Sequence, residues 1–90
     1  MKAKYKFYFY LVTENNGGTE YTFKCVTAES VRVQDIDKRF DTILKGWYDD
    51  GERRVKKDGG YYFHGGDFFA KIEAYKEISE SDYNVLKKYL

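Results

Sequence analysis

The stretch Ala3-Lys4-Tyr5-Lys6-Phe7-Tyr8-Phe9-Tyr10-Leu11-Val12-Thr13 alternates without a break. Ala3, Tyr5, Phe7, Phe9 and Leu11 fall on one side, and Lys4, Lys6, Tyr8, Tyr10 and Val12 on the other. A two-residue period rich in aromatics is the signature of a strand. Asn15-Asn16-Gly17-Gly18 follows, a turn sequence that tolerates positive φ. Residues 19–27 then alternate again, with Tyr21, Phe23 and Cys25 on one side and Glu20, Thr22, Lys24 and Val26 on the other. The chain therefore opens on a long β-hairpin.

The register of that hairpin decides which face is core. A two-residue turn at Asn16-Gly17 pairs Val12 with Tyr21 and Tyr10 with Phe23. A three-residue Asn16-Gly17-Gly18 loop pairs Leu11 with Phe23 and Phe9 with Cys25. The second matches apolar with apolar, so it is the expected arrangement. It leaves Lys4, Lys6, Tyr8 and Tyr10 beside Lys24 and Thr22 as an aromatic and basic face.

Downstream, Ile36, Phe40, Ile43, Leu44 and Trp47 lie on one helical stripe. Asp35 is the expected N-cap, Asp37 and Lys45 complement the dipole, and Gly51 is the expected end. Val31 and Val33 suggest extended structure before that helix. Residues 52–64 read as a second hairpin turning at Asp58-Gly59-Gly60, and Gly65-Gly66 as a further turn. Residues 67–78 read as a long strand with Phe68, Ala70, Ile72, Ala74 and Ile78 on its buried face. Ser79 with Asp82 opens a short C-terminal helix, with Tyr83, Leu86 and Leu90 on its apolar side. The order β-β-α-β-β-β-α predicts an α+β fold, an antiparallel sheet of four to five strands with one or two helices packed on one face.

Ninety residues fit a single domain spanning 1–90. The chain is 42% hydrophobic, 34% charged and 20% aromatic, with ten Tyr and seven Phe, so much of its core must be aromatic. A formal net charge of +1 is too low for a strongly basic nucleic-acid binder and excludes a carboxylate-rich DNA mimic. The single cysteine rules out an intrachain disulfide and suits a reducing cytoplasm. No leader or apolar span is read near Met1, so a soluble cytoplasmic protein is expected.

Assembled chemistry is not legible. Cys25 is expected to point into the hairpin core, where a thiol is inert. His64 reads as a strand-end or turn residue, and a lone His with a lone Cys cannot supply a zinc ligand set. Asp49, Asp50, Glu52, Asp58 and Asp67 read as solvated turn acids, and the glycine pairs as turn chemistry. Neither an enzyme nor a cofactor is expected.

Two binding surfaces remain. Arg53, Arg54, Lys56 and Lys57, with Tyr61 and Tyr62, form a candidate protein-docking patch on the second hairpin. Lys4, Lys6, Tyr8, Tyr10 and Lys24 form an alternative face for single-stranded RNA or DNA, provided the tyrosines are exposed. The expected function is thus a small protein-binding module. Its compact, proline-free, Tyr- and Lys-rich style resembles that of short phage or mobile-element proteins, a resemblance that carries no motif and implies docking to inhibit or regulate a host nucleic-acid enzyme, in the manner of anti-CRISPR proteins. The exposed hairpin edge also permits a homodimer joined by strand addition, and no membrane partner is expected.

Overall fold

A computed structural model describes residues 4–49 and 53–90. The expectations placed on Ala3, Asp50, Gly51 and Glu52 lie outside the described residues.

The first hairpin turns at Gly17-Gly18, and its register is one that sequence did not anticipate. Both turn positions need positive φ, and the two glycines supply it at 62° and 93° without steric cost. Asn15 supports the turn by accepting the Gly18 N–H at its Oδ1, 3.0 Å away. Asn16 therefore stays in strand β1 (Tyr5–Asn16) and faces Thr19, the first residue of β2 (Thr19–Ser30). Tyr8 then pairs with Thr27, Tyr10 with Cys25 and Val12 with Phe23. This overturns the expected core face. Tyr8, Tyr10 and Val12 are 8%, 7% and 0% exposed, whereas Phe7, Phe9 and Leu11 are half-buried on the reverse side.

Helix α1 (Ile36–Lys45) covers the Tyr8 face. Asp35 caps it by accepting the Lys38 N–H, and Asp37 and Lys45 sit at the expected ends. The helix stops at Gly46, so Trp47 lies just past its end. Ser30, Val31 and Arg32 turn the chain into α1, and Val31 and Val33 are exposed, where extended structure was expected. Phe40 and Leu44 are the buried helix residues, with the Phe40 ring 5.9 Å from Tyr8 and 5.1 Å from Tyr10.

Strands β3 (Val55–Lys57) and β4 (Gly60–Phe63) form the second hairpin, and β5 (Phe68–Ile78) runs beside β1. The five strands make one antiparallel sheet in the order β2-β1-β5-β4-β3, and with its two helices the fold is α+β.

A bulge reshapes β5. Leu11 pairs with Ala74 but Val12 with Ile72, which leaves Glu73 as the extra residue. The alternation therefore flips there. Phe68, Ala70 and Ile72 share the α1 face with Tyr75, while Ala74 and Ile78 pass to the opposite face, contrary to a single buried face along the strand. Helix α2 (Glu80–Lys87), capped by Ser79, crosses that opposite face, with the Tyr83 ring 4.8 Å from Phe7 and tilted 42° to it. Tyr8 and Phe7 are neighbours on one strand and point oppositely, so the helices divide the two faces between them.

Candidate interaction surface

The α1 face is closed by hydroxyl and indole donors on carboxylates. Tyr61 donates to Asp41 at 2.7 Å, Tyr75 to Asp37 at 2.7 Å, and Trp47 Nε1 to Glu14 at 2.9 Å. Glu29, itself buried, is held by the Arg39 guanidinium and the Thr27 hydroxyl. Asp41 is the hub, with Lys56 Nζ at 3.3 Å and Lys45 Nζ at 3.4 Å. Partial burial pushes the Asp41 carboxyl up, but the Tyr61 hydroxyl and the two ammonium groups outweigh it and hold it below its ordinary value of 3.8.

Burial, first of all, pushes Tyr10, Tyr48 and Tyr61 from 10.0 up to about 12; hydrogen bonds to Cys25, Glu14 and Asp41 respectively add to it. A phenol raised in the fold keeps its full contribution below pH 10.0 and loses it as pH climbs through about 12. Stability is therefore expected to hold up to pH 10.0 and to fall between there and about pH 12. A phenolate absorbance titration checks this. Native protein should show a late class of tyrosines that joins the ordinary class in denaturant, and one common transition in both would contradict it.

The expected docking residues do not act as one patch. Lys56 and Tyr61 pair across the second hairpin and point to the α1 side. There Lys56 bonds Asp41, and Tyr61 is buried. Arg54 is half-buried near the Tyr61 phenol. Arg53, Lys57 and Tyr62, by contrast, come together on the opposite face. With Val55, Gly65 and Gly66 they line an open groove of about 440 Å³. Val55 is 56% exposed there. The Tyr62 ring is fixed on its flank by Phe69, 4.6 Å away, and its hydroxyl by Asp58 at 2.7 Å.

The aromatic and basic face imagined on the first hairpin does not form. Tyr8 and Tyr10 lie under α1 with no face free to stack on a base. Lys24 pairs with Leu11 on the reverse side of the sheet, and Lys6 pairs with Glu29. Lys4 is exposed just ahead of β1.

Cys25 is half-buried against Tyr10, and burial pushes its thiol up, which suits an inert side chain. His64 sits in the turn Phe63–Asp67 with its ring against Tyr48 and Phe68. Asp58 and Asp67 are exposed turn residues. Among the described residues no three His, Cys, Asp or Glu side chains gather as metal ligands, and no helix is long and apolar enough to cross a membrane.

Sequence reading missed Glu14, Glu29 and Asp41, the carboxylates that organise the α1 face. Only Glu29 carries a local signal, since it interrupts the neutral β2 face of Tyr21, Phe23, Cys25 and Thr27. It also missed the exposed pair Tyr21 and Phe23 beside Trp47, because it assigned both to the core. No protein-family model, characterised protein or solved structure matches this chain.

Proposed function

We propose that the protein is a non-enzymatic binding module that docks another protein through the groove of Arg53, Val55, Lys57 and Tyr62. The observation that supports this reading is the composition of that groove, two cations around an exposed valine and a ring held in place by Phe69 and Asp58. Fixed aromatics and arginine are the residues that carry binding energy at interfaces. The cations select an acidic segment on the partner. A host nucleic-acid enzyme is the partner class we favour, because the carboxylates that hold catalytic metals in many such enzymes line acidic clefts. On this reading the chain is a docking inhibitor or regulator of phage or mobile-element type, and it does not imitate DNA.

The test reverses charge where it does not disturb the α1 face. Arg53→Glu with Lys57→Glu leaves Lys56 and Asp41 alone. Where docking buries these cations in hydrogen-bonded pairs, removing one costs roughly 2–5 kcal/mol of binding. Loss of partner capture with the fold kept is expected. Full capture of the same partner by the double variant contradicts the reading.

A further inference from the structure

The sheet has two edges, and they are built differently. The β3 edge is three residues long and carries two lysines. Shortness and lysine are the usual defences of an edge. The β2 edge runs for 12 residues, has no proline, and carries a single lysine, Lys24. Among the described residues no strand lies beside its outer backbone groups, since β2 ends the sheet. Asn16 and Thr19 close the two-residue turn as a bonded pair, so odd residues of β2 address β1 and even residues, from Glu20 to Ala28, address the open edge.

We propose that this edge joins the same edge of a second copy, antiparallel and with its two-fold axis through Thr22. A two-fold axis perpendicular to the sheet keeps each face on its own side, so only same-parity residues can lie opposite one another. Among those registers, centring on Thr22 sets Glu20 opposite Lys24 of the second copy, twice by symmetry. It also sets Tyr21 opposite Phe23 of the second copy. Centring on Lys24 or on Glu20 brings like charges together. Centring on Phe23 or Cys25 leaves the Glu20 and Lys24 charges without each other. Tyr21 and Phe23 lie on the α1 face, 49% and 41% exposed, with Phe23 6.2 Å from Trp47. In the Thr22 register they form a non-hydrogen-bonded pair, the kind in which side chains approach closest. The assembly is a ten-stranded sheet that leaves the β3 groove open at both ends, and it stands whether or not that groove docks a partner.

Light scattering across a concentration series tests it, with fluorescence of Trp47, the sole tryptophan, as a second readout. The wild-type chain is expected to dimerise reversibly. Thr22→Pro removes an outward N–H and none of the β1 pairing, and is expected to be monomeric with the fold kept. Lys24→Glu sets like charges opposite each other twice and is expected to weaken the dimer roughly tenfold. Glu20→Lys with Lys24→Glu restores the pairing and is expected to return the wild-type affinity. A wild-type chain that stays monomeric to about 1 mM overturns the proposal. So does a dimer indifferent to Thr22→Pro or Lys24→Glu, or a double exchange no tighter than Lys24→Glu alone.

Discussion

Phe40→Ala is expected to lower the unfolding free energy by roughly 3–5 kcal/mol. The Phe40 ring is the piece of α1 that fills the space over the first hairpin. It meets Tyr75 at 4.7 Å, Tyr10 at 5.1 Å and Tyr8 at 5.9 Å, and it is 4% exposed. The surrounding rings are stiff and anchored, Tyr75 by Asp37 and Tyr10 by contact with Cys25, so the space cannot close by collapse. A chain of 90 residues has about 5–13 kcal/mol in total. The variant should therefore sit near its unfolding midpoint at modest denaturant. Urea unfolding followed by circular dichroism measures it, and a loss below about 1 kcal/mol contradicts the placement of Tyr8 and Tyr10 beneath the helix.

Gly60→Ala is expected to be nearly as damaging, for a different reason. A Cβ at Gly60 would collide with the Ala70 carbonyl oxygen and come within 2.7 Å of the Lys71 Cβ. Backbone of the neighbouring strand cannot rotate away as a side chain can, so β4 must separate from β5. Those strands pair from Gly60–Lys71 to Phe63–Phe68, and Phe63 is fully buried. A cost of roughly 3 kcal/mol or more is expected, with hydrogen-exchange protection lost first across β4. Gly46→Ala is the control, because a Cβ there meets nothing nearer than 3.7 Å. It should change stability by less than about 0.5 kcal/mol. Equal effects of the two substitutions would contradict the close approach of β4 to β5.

Much of the fold is legible because it rests on local signals. The alternation of residues 3–13, the Asp58-Gly59 turn and the caps at Asp35 and Ser79 all act within a few residues. The core face was not legible, because both faces of β1 are aromatic. Phe7 and Phe9 are the more apolar pair, yet Tyr8 and Tyr10 are buried, since their hydroxyls can keep polar contacts and Phe40 arrives from a distant helix. The bulge at Glu73 has no local mark either. It depends on which residue of β1 lies alongside. The cation cluster at residues 53–57 was legible as a cluster, but its division was also within reach. Arg53, Val55 and Lys57 share one parity on a strand, and Lys56 has the other.

Where a partner sits on the groove can be read directly. A photo-reactive residue replacing Val55 lies within the groove, and one replacing Val33 lies on the connection between β2 and α1, near the opposite edge of the sheet. Each variant, illuminated in the native host and purified, reports what touches that position. A covalent adduct to one protein from the Val55 site, absent from the Val33 site and lost when Lys57→Glu is added, is the expected result. Crosslinking of the Val55 site to nucleic acid, or a protein adduct from the Val33 site alone, would contradict a protein-docking groove on the face opposite α1.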